Sequence, residues 1–347
     1  MNRFKHFMKL VFAIGILSIF AGCKGLVKKP HDDHETRMRN AIRINPVHEL
    51  GYIRLAQYLE GKQRYSETFQ VLRDAQQHIP DSITLIRLEG RLFQGLEMFS
   101  EVEKFYTEQL ERYPENPLLF LDRAKMHWRI NSYEHALEDA KKSLSLNSDL
   151  FEAHYLIGII LGRKTDPENP EFLDRALEAL ISASQINSTN SDLWMRISDL
   201  WQRKGESNKA RLAMFRAVEL SPESNFYLRR YAVLQEKELD ETVRQNSVEI
   251  SESLHKTLKH MLKLFPNDSW VHAHYGNWAW TKQNYALAEI HLQRSLEIQA
   301  VYPWASFRLG VVYFSQEKWE KALTVFEDGL RHDPDNAWAI QQTGFIL

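Results

Sequence analysis

The chain is poor in the residues that most often carry chemistry. Among 347 residues there is one cysteine, Cys23, which excludes an intrachain disulfide, a thiolate zinc cluster and a dithiol redox couple. Charge of one sign is also lacking. The 44 Lys+Arg face 46 Asp+Glu, a formal balance of −2, so no global field exists to hold nucleic acid, and recognition by charge has to come from local patches. Glycine and proline are sparse, at 14 and 11, and no HExxH, phosphate-cradling glycine loop, Ser elbow or dinucleotide fingerprint occurs. The opening apolar run, Leu10 to Phe20, is about half of the roughly 20 residues that span a bilayer as a helix. What is present is an ordinary globular composition, 44% apolar and 26% charged, enough to bury an extensive core.

The first residues read as an address. Arg3, Lys5 and Lys9 precede the apolar run, and Ala21, Gly22 and Cys23 follow it, the layout of a secretory signal segment. Small residues before a cysteine at the end of such a run resemble the lipobox of bacterial lipoproteins, with Phe20 standing where that family usually has an aliphatic residue. The resemblance implies cleavage before Cys23 and a covalent lipid on its thiol, and no other cofactor is expected. Because Lys24 rather than Asp follows the cysteine, it also implies an outer-membrane, periplasm-facing location. On this reading 1–22 is the signal peptide and 23–33 a polar tether. The other reading is a plain signal peptide with an incidental cysteine.

Proline sets the period of the remainder. Pro46, Pro80 and Pro114 are spaced by 34, and Pro266 to Pro334 is twice 34. In this phase a half unit, 34–48, is followed by 49–82, 83–116, 117–150, 151–190, 191–224, 225–268, 269–302 and 303–336, and 337–347 forms a capping helix. Two units are longer, around 165–170 and 238–247, and both insertions are expected between the two helices of a hairpin. Position 8 of each unit is small: Ala56, Gly90, Ala124, Gly158, Ser198, Ala232, Gly276 and Gly310. Position 20 is alanine in five of eight, at 136, 176, 210, 288 and 322. Leu254 breaks that series, which means either an insertion of nine that brings Ser253 into place or a hairpin spread more widely.

This pattern resembles the tetratricopeptide repeat, nearly throughout in 303–336 and least in 225–268. The resemblance implies an all-α, right-handed superhelical solenoid of antiparallel helix pairs with a concave groove lined by the first helices, a binding scaffold and not an enzyme. It places positions 2, 5, 9 and 12 of the first helices in that groove. Early units carry Arg87, Arg91 and Lys125 there, with Trp128 and Tyr155, a set suited to an acidic or carboxylate-bearing extended peptide; a solvated face is the alternative. Arg129, Arg163 and Arg203 recur at position 13, where a cation complements a helix dipole. The Lys and Asn pattern of the two-carboxylate clamp of chaperone-binding relatives is not reproduced.

Late units carry an aromatic row: Trp270, Trp280, Trp304, Phe307, Phe314 and Trp338. Exposed aromatics point first to a protein partner. A glycan track, implied by resemblance to tetratricopeptide lipoproteins of polysaccharide export, and packing between units are the other readings. His31, Asp32, Asp33 and His34 could ligate a metal at one-turn spacing, but an acidic residue before a helix reads as an N-cap, so no metal is expected. At the C-terminal end Trp338, Gln341 and Phe345 fall on one side and Ile340 and Gly344 on the core side, which suggests a self-association surface. The expected function is a membrane-anchored periplasmic scaffold for an envelope complex, with a polysaccharide-export accessory as the alternative.

Overall fold

The computed structural model describes residues 33–164, 171–241 and 247–346, and every regular element in them is an α-helix. The signal segment, Cys23, most of the tether, His31, Asp32, the 165–170 insertion and Leu347 lie outside the described residues. The chain divides into two compact units between Ile160 and Leu161. The first contains α1 Asp33–Ile44, α2 Glu49–Gly61, α3 Tyr65–His78, α4 Ile83–Gly95, α5 Phe99–Arg112, α6 Pro117–Arg129 and α7 Tyr133–Leu146. The boundary falls within α8, Phe151–Lys164. The second unit contains α9 Glu171–Ile186, α10 Ser191–Arg203, α11 Ser207–Leu220, α12 Asn225–Glu241, α13 Ser247–Leu264, α14 Ser269–Thr281, α15 Tyr285–Ile298, α16 Pro303–Ser315, α17 Trp319–His332 and α18 Ala337–Ile346. None of the described helices is long and apolar enough to cross a membrane.

Local chemistry sets the helix ends. Ser82, Asn116, Asn190 and Asp268 each stand just before a first helix and accept a backbone N–H of its first turn, satisfying one of the donors a helix start leaves bare. Pro117 and Pro303 occupy the first turn, where a missing N–H costs nothing. The turn into the second helix is closed by one left-handed residue, Gln63, Glu97, Asn131, Gly205, Gln283 or Glu317. The N–H after it reaches back five residues, as in Arg64 N to Leu59 O and Lys318 N to Tyr313 O, both 2.9 Å. Only Gly205 takes that conformation without a Cβ penalty.

The small residue at position 8 has a steric cause. A Cβ on Gly90 would lie 2.3 Å from the Tyr106 hydroxyl, one on Gly276 2.7 Å from Leu292, and one on Gly310 2.8 Å from the Phe326 ring. Each obstructing side chain comes from the second helix of the same pair and is fully buried, so a first helix without bulk there lets the two backbones close on it. The long pair follows this scheme. Leu254 is 2% exposed and packs with Ala232 and Leu258, while Ser253 turns its hydroxyl to Tyr231 and Gln235, so leucine and not Ser253 holds the interior position. The insertion there is not confined to the connection: α12 and α13 run to 17 and 18 residues, against 13 and 14 for α10 and α11.

Candidate functional site

In the first unit, the basic set divides. Arg87 on α4 is forked onto Asp122 of α6, with Nε to Oδ2 at 2.6 Å and Nη2 to Oδ1 at 3.1 Å. The Asp122 side chain is 3% exposed, and its hydrogen bond holds the Arg87 guanidinium above its ordinary pKa. Arg87 is therefore the counterion of a buried carboxylate, which corrects the expectation of a free cation beside Arg91. Asp139 is gripped in the same way by Arg123, at 2.7 Å through both oxygens. Arg91 is exposed and Lys125 half-buried, and neither forms an ion pair or hydrogen bond among the described residues. Lys125 and Trp128, three residues apart on α6, share a face. Trp128 packs on Tyr133 with ring centroids 5.2 Å apart, and Tyr155 stacks on Phe151 at 5.7 Å.

Two of the recurring arginines at position 13, Arg129 and Arg203, serve helix ends, but those of the preceding first helix. Arg129 Nη1 donates to the Gln94 carbonyl at 3.0 Å, and Arg203 Nη1 to the Gly162 carbonyl at 2.5 Å. Both acceptors lie in a last helical turn, where carbonyls lack intrahelical partners.

In the second unit the aromatic residues are largely engaged by one another. The His274 imidazole is 3.7 Å from Trp270 and 4.5 Å from Trp304, centroid to centroid, with interplanar angles of 27° and 17°. Its Nδ1–H donates to Glu236 of α12, 2.9 Å from both oxygens. Arg229 lies over Trp270 and Arg308 over Trp304, each at 5.1 Å. Trp280 donates Nε1–H to Ser315 Oγ at 3.1 Å, and Phe314 meets the edge of Trp319 at 5.0 Å. Phe307 is 5% exposed and fills the space beside Gly329, so it is a core residue, against the expectation of an exposed aromatic.

Of the six, only Trp338 is classed with the exposed residues, at 43%, edge-on to Phe307 and Phe326. A sugar ring needs an open aromatic face, and Trp270 and Trp304 already carry an imidazole and a guanidinium on theirs. On α18 the core residue is Ala339, whereas Ile340 is 50% exposed and a Cβ on Gly344 would meet nothing within 4 Å. The expectation that Ile340 and Gly344 dock on the core is thus corrected; Phe345 is exposed, at 66%.

Sequence reasoning passed over position 6 of the first helices, where Asp122, Arg230, His274 and Arg308 stand. The signal was available in their charged or ionisable side chains: Asp122 engages Arg87, His274 engages Trp270 and Trp304, and Arg308 engages Trp304, while Arg230 pairs with Asp199.

A family model described as tetratricopeptide repeat matches residues 303–336. In sequence the chain is similar to human Protein O-mannosyl-transferase TMTC3, 23% identical over 331 residues that cover 90% of this chain and 34% of that protein. It is also similar to U-box domain-containing protein 70 of Oryza sativa subsp. japonica, 25% identical over 190 residues, 50% of this chain and 23% of that one. The chain therefore spans about a third and about a quarter of the length of these curated relatives. In structure it is similar to the C-terminal part of a TPR repeat-containing protein from Cytophaga hutchinsonii, with a TM-score of 0.57, 15% identity, and coverage of 74% of this chain and 98% of that one.

Proposed function

We propose, for a chain that is a tetratricopeptide-repeat protein, that it is a scaffold holding an extended segment of a protein partner along its first helices. The observation that carries this reading is the division of the basic set in the first unit. The fold engages Arg87 with a buried carboxylate but leaves Arg91 and Lys125 without a counterion among the described residues, on the helices that a repeat of this kind offers to ligands. Long cations with uncommitted N–H groups suit acidic side chains on the ligand. No catalytic role is part of the reading, and the transferase similarity, at 23% identity over 34% of that protein, carries no activity to this chain.

Photo-crosslinking residues placed singly at Lys125 and at Leu212, an exposed leucine on the second helix α11, test it. A partner adduct is expected from the first position and not from the second. Equal yields, or an adduct only from Leu212, would discard the first-helix face.

The proposal extends to location. A lipid on Cys23 would tether the scaffold at the outer membrane, facing the periplasm, and its partner would belong to an envelope complex. The support is the sequence around Cys23: a cationic start, a short apolar run, small residues and then the cysteine. Cys23→Ser should free the protein from sedimented membrane, and retention there after a high-salt wash would end the anchor reading.

A further inference from the structure

Position 6 of the first helices carries four basic or ionisable residues in the second unit, and three of them have an internal carboxylate. Arg196 pairs with Asp192 at 2.9 Å, one turn earlier on α10. Arg230 pairs with Asp199 of the preceding first helix, 31 residues before it, and His274 with Glu236, 38 residues before it. Arg308 is next in the series. The residue 308 − 277 = 31 places before it is Asn277, neutral where Asp199 is acidic.

The Asn277 Oδ1 is buried and accepts no hydrogen bond, and Arg308 makes neither a hydrogen bond nor an ion pair among the described residues. Its guanidinium is half-buried over Trp304, and burial pushes it below its ordinary pKa against the opposing charges of Glu236 and Asp240. Glu236 is committed to His274, and exposed Asp240 is at no ion-pair distance. A partly dehydrated guanidinium without an acceptor is costly to keep. Its place over the Trp304 ring positions the guanidinium, and its N–H groups, which donate to nothing among the described residues, suit a planar anion.

We infer that Arg308 is the receptor for a carboxylate of the bound segment, either an Asp or Glu side chain or a free C-terminus, supplying the acid that Asn277 does not. The inference rests on the peptide-binding reading above. It is tested with fluorescein-labelled decapeptides carrying one Glu, the same peptides with Gln, and each with a free or amidated C-terminus, followed by anisotropy. Wild type is expected to prefer the carboxylate form, and Arg308→Met to lose that preference by about tenfold, the scale of one charge-assisted fork. Asn277→Asp should place an acid at the Arg230–Asp199 spacing, hold or raise the melting temperature and still lose the ligand, which a damaged fold cannot imitate. Arg230→Met is the control: it breaks an internal pair, lowers the melting temperature and leaves the carboxylate preference intact.

Loss on Glu-to-Gln exchange assigns the side chain, and loss on amidation alone assigns the C-terminus. A preference retained in Arg308→Met or Asn277→Asp overturns the inference. Binding indifferent to charge overturns it too but leaves the peptide-binding reading standing, whereas no binding of any peptide by wild type ends both.

Discussion

The two units engage their chemically rich residues by different means. In the first, buried carboxylates are gripped by arginine forks, Asp122 by Arg87 and Asp139 by Arg123. In the second, where Arg211 likewise holds the buried Glu238, rings and imidazoles take a larger part, with His274 between Trp270 and Trp304. In both, the residue at position 6 decides whether a neighbour selected for its repeat position is free. Asp122 captures Arg87, a position-5 residue of the preceding repeat, and His274 captures Trp304, a position-2 residue of the following one. Position in a repeat brings a side chain to a face; what stands across from it decides whether a ligand can have it.

The sharpest way to break this comparison is Arg87→Met, which leaves the buried Asp122 carboxylate without its counterion. A loss of about 3 kcal/mol in unfolding free energy is expected, the low end for stranding a buried charge because Arg87 itself is partly exposed. Adding Asp122→Asn should recover part of it, since no charge then remains buried. Urea denaturation measures both, and an unchanged midpoint for Arg87→Met would return that residue to the ligand-binding set. Next in size is Trp304→Ala, which removes one side of the imidazole stack and the seat of Arg308. About 2 kcal/mol should be lost, below the usual cost for a large aromatic because the ring is only partly buried. A Trp304→Ala protein as stable as wild type would make the stack dispensable and reopen the aromatic row as a ligand surface.

Why some of this was legible and some was not follows from range. The all-α repeat shows in Pro46, Pro80 and Pro114 and in the glycines at 90, 276 and 310, because close approach of paired helices excludes bulk and that constraint recurs at a fixed spacing. Phe307 was misjudged because its burial depends on Gly329, a residue on the next helix that lets its ring in. Arg87 was misjudged because its counterion is 35 residues away, at a position that carries leucine in other repeats, as at Leu88 and Leu156. Leu254 replaces alanine in a pair whose helices are both lengthened, and no local pattern announces that change.

Acid sharpens the contrast further. The Nδ1 atoms of His272 and His291 are 3.0 Å apart, and His272 Nε2 is 3.1 Å from the Pro266 carbonyl. With both rings neutral, His272 donates to that carbonyl and accepts from His291, so a proton added at the contact sets N–H against N–H. Burial, then the charge of His272, holds His291 down to about 4. Above pH ~6.5 neither folded nor unfolded chain carries this proton. Between there and about 4 the unfolded chain takes it up and the folded chain does not, so stability falls as pH falls through that window. Trp128 is the lone tryptophan of the first unit, so tryptophan fluorescence mainly follows the second. Its melting temperature should drop across that range, and His291→Gln should flatten the drop. An equal slope in the variant would remove the pair as the cause.

The smallest effect on stability belongs to Arg91→Glu with Lys125→Glu. Neither cation has an ion pair or hydrogen bond to lose among the described residues, and charges that reach solvent, as exposed Arg91 and half-buried Lys125 do, contribute little to folding, so a shift within about 1 kcal/mol is expected. Their effect should appear in binding. If they meet acidic side chains, the double variant should hold the partner less tightly, and its affinity should also depend less on salt because fewer ionic contacts remain to be screened. The pairing with Arg87→Met gives the comparison its force. That variant should lose stability at every salt concentration, whereas the double variant should keep its melting temperature and lose affinity most at low salt. Lowered stability without lowered affinity in the Arg91 and Lys125 variant would make them structural after all, and unchanged affinity with unchanged stability would leave them a solvated face. Only lost affinity with retained stability identifies them as the cations the fold does not use itself.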